Sequence, residues 1–209
     1  MLILICSLIN ISGNNSPIEK RNLEPVNDGK RTLDEQTDNN YIIIQFNETV
    51  AYDAGTLLHD YNIFISKIID ENGITIDESK KFIVTKGTKL YVYFNGAIQI
   101  LLNFFSSLYD ANCKDLISVD LSHFDTSSVT YMIQMFYGCS SLQTLNLSNF
   151  NTLSVKDMGS MFYRCSSLQV LNLSYFNTSS VADMNRMVYG CSSLQTLNLS
   201  NFDTSSNDL

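Results

Sequence analysis

The sequence predicts an α/β array, a short solenoid with parallel strands on one side and short helices on the other, preceded by a small α+β region. Three observations predict it. Cys113, Cys139, Cys165 and Cys191 each open a copy of one motif, 26 residues apart, with the last copy truncated. A fixed period of this length marks repeats that bury their apolar faces only against their neighbours. Within each copy a short run alternates apolar and polar residues, as in Leu145-Asn146-Leu147-Ser148, which is the pattern of a half-buried strand. Further on, Val155, Met158, Met161 and Phe162 fall at i, i+3, i+6 and i+7, the spacing of an apolar helical stripe.

Taken from the N-terminus, residues 1–13 (MLILICSLINISG) form an apolar run too short to span a bilayer, where about 20 residues are needed. They read as a signal peptide, although the usual positive start is missing. Residues 14–40 are polar, mixed in charge and without apolar periodicity, and are expected to be a disordered linker. Residues 41–112 read as an N-terminal α+β cap. YIIIQF, KFIVTKG and LYVYF look like strands, the last two joined by a hairpin at Gly87-Thr88-Lys89. NIFISKIID fits strand or helix equally. AIQILLNFFSSL, from Ala97, is apolar nearly all round and reads as a buried helix that forms a divergent first coil.

Residues 113–209 hold three full copies and the truncated one. Leu171-Asn172-Leu173-Ser174 and Leu197-Asn198-Leu199-Ser200 repeat the strand signal. Ser154 and Asp157, and Ser180 and Asp183, stand where a helix start needs a cap and a carboxylate. Gly138 and Gly190 stand where it needs a stop, with Arg164 once in that place.

These residues carry a resemblance. Leu-x-x-Leu-x-Leu-Ser-x-Phe resembles the leucine-rich-repeat strand motif. The longer string Phe-Asp/Asn-Thr-Ser-Ser-Val-x-x-Met-x-x-Met-Phe-x-x-Cys-Ser-Ser-Leu is similar to the repeat of BspA-like leucine-rich surface proteins. The resemblance covers residues 113–209. It implies a leucine-rich-repeat-like solenoid in a secreted or surface-displayed binding protein, often adhesive, with no catalytic residues to transfer.

Charge and motif content narrow the function. A formal charge of −8 and a pI near 4.6 argue against a nucleic-acid or anionic-membrane surface, both of which need a basic footprint. His59 and His123 have no partner at catalytic or ligand spacing, and His123 occupies a slot held elsewhere by Asn149, Tyr175 and Asn201. No nucleophile triad, carboxylate pair, phosphate loop or dinucleotide fingerprint is visible, so neither an enzyme nor a cofactor is expected. Structural zinc sites use cysteine pairs two to four residues apart, which a 26-residue ladder does not supply. The cysteines read as small buried side chains, with disulfides between adjacent copies as the alternative.

The exposed strand face is the expected ligand site. It comprises Ser118, Asp120 and Ser122, then Thr144, Asn146 and Ser148, then Val170, Asn172 and Ser174, then Thr196, Asn198 and Ser200. Asn146, Asn172 and Asn198 are expected to form a stacked amide ladder. Such a face covers on the order of 200–250 Å², against about 800 Å² per partner in a standard interface, and it lacks aromatic anchors. It should bind weakly unless it is displayed in many copies or helped by the N-terminal region. Of the Asn-x-Ser/Thr sequons, Asn14 and Asn47 are the expected glycosylation sites.

The reading is therefore a non-enzymatic recognition or adhesion module, secreted or at the cell surface, with a protein or glycan ligand. Two alternatives are a structural protein that self-associates, through the C-terminal strand edge, and a truncated member of a repeat-rich surface-protein family without independent function. No nucleic acid is expected as a partner, nor membrane contact after signal removal.

Overall fold

The structure is a computed structural model that describes residues 39–53, 64–76, 81–105 and 114–203. The expected signal peptide lies outside the described residues, as do residues 14–38 of the expected linker, Asn14, His59 and Cys113. The strands are β1 (Tyr41–Phe46), β2 (Val50–Asp53), β3 (Phe64–Asp70), β4 (Lys81–Val84), β5 (Lys89–Asn95), β6 (Leu116–Asp120), β7 (Thr144–Asn146), β8 (Val170–Asn172) and β9 (Thr196–Asn198). They form a five-stranded sheet in the order β3-β5-β1-β6-β7 and two two-stranded sheets, β2-β4 and β8-β9.

The N-terminal strands follow the alternation of their sequence. In β1, Ile42, Ile44 and Phe46 are buried and Tyr41, Ile43 and Gln45 point the other way; in β5, Leu90, Val92 and Phe94 are buried and Tyr91 and Tyr93 are not. With a side-chain period of two, one face goes to the core and the other to solvent. Strand β1 is antiparallel to β5 on one side and to β6 on the other. One sheet therefore runs across the expected 112/113 boundary and ties the N-terminal region to the first repeat.

Three expectations are overturned here. The helix-bearing α/β solenoid is absent: the described residues form strands in mixed and antiparallel sheets, with no α-helix. The N-terminal region is likewise β and turn throughout its described part, and residues 97–105, expected to be a buried helix, are turns with one isolated bridge from Ile100 to Tyr131. The hairpin at Gly87 fails as well. A turn closes there by Thr88 N–H donating to Thr85 O at 3.1 Å, but β4 pairs with β2 while β5 pairs with β1 and β3.

The backbone shows why the helical stripe misleads. A helix closes on itself through i→i−4 bonds. Here Met132, Gln134, Phe136 and Gly138 N–H donate instead to Asp157, Gly159, Met161 and Tyr163 O of the next copy, at 2.7–3.0 Å. The residues between them turn back locally, Tyr137 onto Gln134 O at 3.1 Å and Cys139 onto Phe136 O at 3.1 Å. Two residues per copy take positive φ: Gln134, Ser160 and Arg186 at 55–57°, and Gly138, Arg164 and Gly190 at 57–77°. A left-handed residue every few positions is incompatible with a helix. Gly138 and Gly190 thus serve tight turns, with no helix to stop. This geometry still carries Val129, Met132, Met135 and Phe136 inward, so an apolar i, i+3, i+6, i+7 pattern arises without a helix.

Residues 98–105 repeat the same device. Leu101, Asn103 and Phe105 N–H donate to Tyr131, Ile133 and Met135 O at 2.7–3.0 Å, and Asn103 has φ of 57°. Ile98, Leu101, Phe104 and Phe105 thereby fill the positions of Val129, Met132, Met135 and Phe136, and all are buried.

Successive copies then stack side chain on like side chain. Phe105, Phe136 and Phe162 stack with centroids 5.1 and 5.5 Å apart, and Phe150, Phe176 and Phe202 with centroids 5.8 and 6.3 Å apart. Burying one such ring contributes about 1.5–3 kcal/mol. Between these columns runs a polar one. Thr152 Oγ1 donates to Asn177 O at 2.9 Å and accepts from Asn177 N–H at 2.8 Å; Thr126 does the same to Asn151 and Thr178 to Asp203. All three threonines are buried, and each hydroxyl satisfies a backbone donor and acceptor of the following copy.

Candidate functional site

The outward face of the five-stranded sheet carries an aromatic cluster. Alternation in β1 and β5 turns Tyr41, Tyr91 and Tyr93 away from the core, and pairing brings Tyr41 opposite Tyr93. The Tyr41 and Tyr93 rings lie 5.1 Å apart and the Tyr41 and Tyr91 rings 6.2 Å. His123, in the turn after β6, stacks on Tyr41 at 4.5 Å and 15°. Tyr41 N–H donates to His123 O at 3.2 Å, which holds the two rings together. Lys67 of β3 places its Nζ 4.5 Å over the Tyr93 ring, a cation–π contact.

Asp120 borders the cluster, since Ile43 pairs with Asp120 across β1 and β6. Burial first, and then the negative charge that Tyr93, Asp120 and Tyr91 can carry, push the Tyr41 phenol above its ordinary pKa, so it stays a hydrogen-bond donor at neutral pH. The patch thus offers three phenols, an imidazole, an ammonium and a carboxylate on a rigid sheet. Aromatic side chains of this kind, apolar in body and polar at the tip, dominate recognition surfaces.

The expected strand face is placed less usefully. Ser118 and Asp120 lie on β6 beside the cluster, and Ser122 Oγ sits 3.1 Å from His123 Nδ1. Thr144, Asn146 and Ser148 follow on and after β7. Val170, Asn172 and Ser174, and Thr196, Asn198 and Ser200, belong to β8, β9 and the turns after them, which pair with each other in a two-stranded sheet. Val170 is more than half exposed.

The amide ladder is also corrected. Asn146, Asn172 and Asn198 Oδ1 each accept from the N–H two residues on, at Ser148, Ser174 and Ser200, all at 3.1 Å. Asp120 does the same to Ser122 at 2.8 Å. These are turns closed inside one copy, which compete with side-chain bonds between copies. Asn47 is half-buried, with its Nδ2, the atom a glycan would occupy, 3.5 Å from Ser141 Oγ.

An open groove of about 660 Å³ lies farther along the repeats, lined by Leu153, Tyr175, Asn177, Asn201 and Asp203 among others. Its polar groups are largely occupied: Asn177 Oδ1 accepts from Ser179 N–H at 3.0 Å, and Asn201 Nδ2 donates to Ser174 O. A tyrosine column, Tyr137–Tyr163–Tyr189, runs elsewhere on the surface with spacings of 4.5 and 5.2 Å.

The cysteines differ from one another. Cys139 is in a disulfide whose partner lies outside the described residues, which corrects its reading as a thiol; Cys165 and Cys191 are free. Among the described residues, no three His, Cys, Asp or Glu side chains are placed to hold a metal ion, and no helix is long and apolar enough to cross a membrane.

The aromatic cluster escaped sequence reasoning because its members come from β1, β5 and the β6 turn. The signal was present in the alternation of YIIIQF and LYVYF, which puts every tyrosine on one face. What was missing was the pairing of β1 with both β5 and β6.

No curated protein matches the chain, and no solved structure does. Residues 103–208, just over half of the 209, match the family described as "Mycoplasma protein of unknown function, DUF285", and the chain belongs to that family.

Proposed function

We propose that the protein is a non-enzymatic recognition or adhesion module, secreted or at the cell surface, that binds a protein or glycan ligand through the outward face of its five-stranded sheet. One observation carries this reading. Tyr41, Tyr91, Tyr93 and His123 converge on that face, beside Lys67 and Asp120 and continuous with Ser118. They supply the aromatic anchors that the repeat face lacks. The likeness of the repeat to BspA-like surface proteins supports the same class of function.

The test is binding of the purified chain to extracellular-matrix proteins and glycans, compared with Tyr41→Ala and Tyr93→Ala variants. Loss of a hot-spot aromatic costs at least about ten-fold in affinity. Each variant is expected to lose that much while keeping its circular dichroism. Binding that survives both changes would move the site off this face.

A second reading, self-association of the repeats, is favoured by β9. Leu171 is buried, whereas its counterpart Leu197 is 37% exposed, and β9 pairs with β8 alone. Light scattering across a micromolar concentration series separates this from ligand recognition.

A further inference from the structure

We propose that Cys165 and Cys191 form a dithiol site that closes to a disulfide between adjacent repeats by exchange with a low-molecular-weight disulfide. The two residues hold the same position in consecutive copies, and β8 and β9 fix that register through Val170↔Thr196 and Leu171↔Leu197. The Phe162 carbonyl locks them further: it accepts from Cys165 N–H at 3.2 Å and from the Cys191 thiol at 3.1 Å. Just N-terminal to the pair, Arg164 N–H donates to Tyr189 O at 2.7 Å. Backbones held one strand spacing apart, about 4.8 Å, lie within the Cα separation of about 4.4–6.8 Å that a disulfide spans.

The preceding copy shows that a cysteine at this position can enter a disulfide. Phe136 O accepts from Cys139 N–H at 3.1 Å and from the Cys165 thiol at 3.2 Å, the same arrangement one repeat earlier, and Cys139 is already disulfide-bonded.

Burial sets the order of events. Cys165 has no solvent exposure, whereas Cys191 is half-buried, so a reagent meets Cys191 first. The neighbouring Cys165 thiol also lowers the Cys191 pKa, while that same contact and then burial raise that of Cys165. The Cys191 thiolate attacks one sulfur of the small disulfide; that S–S bond breaks and one small thiol leaves with a proton. Cys165 then gives up its proton and attacks the Cys191 sulfur of the mixed disulfide, expelling the second small thiol. The two protein sulfurs are oxidised, and the small disulfide is reduced to two thiols. Rates of such exchange follow thiolate fraction and access.

The experiment treats the full native chain with oxidised glutathione, then denatures it, alkylates the remaining thiols and maps the peptides by mass spectrometry. Cys165 and Cys191, free among the described residues, should both escape alkylation and appear as a Cys165–Cys191 linked peptide, and the thermal midpoint should rise. In Cys165→Ala, Cys191 should instead hold a persistent glutathione adduct. In Cys191→Ala, the buried Cys165 should stay unmodified until the chain unfolds, which keeps the test decisive if Cys165→Ala fails to fold. Cys165 and Cys191 both still alkylatable after treatment would overturn the proposal. So would linkage of either cysteine to Cys139, or an adduct that persists at Cys191 in the unmutated chain.

Discussion

The antiparallel strands of the N-terminal region and the turns of the repeats solve the same backbone problem and leave different surfaces behind. In β1 and β5 the main chain is satisfied chiefly by its ladder, and the outward side chains of Tyr41, Tyr91 and Tyr93 are not needed to complete it. In the repeats only short ladders form, and between them the main chain turns sharply and recruits side chains to complete its hydrogen bonds. Asn146, Asn172 and Asn198 close turns, Thr126, Thr152 and Thr178 bridge copies, and Asp157 Oδ1 takes the Gly159 N–H at 2.8 Å. Regularity uses up the polar groups that a binding surface would need. The non-repeating strands keep their outward tyrosines free of such duties, and the candidate site forms where those strands meet the first repeat at Asp120 and His123.

The most forceful way to break this contrast is to charge the core of the repeats. Met161 has no exposure, and an unpaired carboxylate there has no compensating partner. Met161→Asp should destabilise by about 4 kcal/mol or more, lowering the melting temperature by roughly 10 °C. An unchanged melting curve would mean that the turn segment faces solvent.

The threonine column sharpens the comparison at the level of single atoms. Thr152→Val keeps the shape but strips the partner from Asn177 N–H and O, at a cost of about 1–3 kcal/mol. Thr152→Ser, which keeps the hydroxyl, should recover most of it in chemical denaturation. Equal losses in the two variants would show that the methyl group matters and the bridge does not.

Gly190 tests the turns. Its φ is +77°, and a Cβ added to it would stand 3.0 Å from Arg164 Cγ. Gly190→Ala should cost about 1–2 kcal/mol, the expense of a left-handed non-glycine residue. No cost in denaturant titration would mean that the backbone at this turn relaxes out of the left-handed region.

The smallest effect is electrostatic. Hydrogen bonds from the Ser127 hydroxyl and then its N–H hold the Asp125 pKa below its ordinary value. A depressed folded-state pKa gives stability that is fully present above the unfolded value and lost as pH falls through the folded one. The stability gap between the native chain and Asp125→Ala should therefore narrow on acidification below the ordinary carboxylate range. Asp115, whose pKa is raised by burial and then by Glu48, acts in the opposite sense but is common to both proteins and cancels. A gap independent of pH would show that the Ser127 bonds do not distinguish the two ionisation states.

Much of the inward pattern was legible in the residues. The 26-residue period, the inward leucines and the strand YIIIQF all follow from spacing. So does the likeness of Ile98-x-x-Leu101-x-Asn103-Phe104-Phe105 to Val129-x-x-Met132-x-Gln134-Met135-Phe136, though it reads as a helix until the backbone is seen. The helix expectation failed because i, i+3, i+6, i+7 records which residues point inward. It does not record whether an N–H such as that of Met132 goes back along its own chain or across to Asp157 of the next copy. Local sequence cannot tell those apart, as both bury the same side chains. The candidate site failed for a different reason: Tyr41 and His123 are far apart in the chain, and only the pairing of β1 with β6 brings them together.

The hydrogen bonds that pass from each copy to the next, such as Phe136 N–H to Met161 O at 2.8 Å and Phe162 N–H to Met187 O at 2.8 Å, point along the direction in which the copies follow one another. Tension applied in that direction loads all the bonds of one junction at once and the junctions in series. The weakest junction then parts first, and each copy drawn out releases roughly 90 Å of extended chain. A chain built this way lengthens in steps under pull, and the five-stranded sheet shares the load through β6 and β7, which join two successive copies.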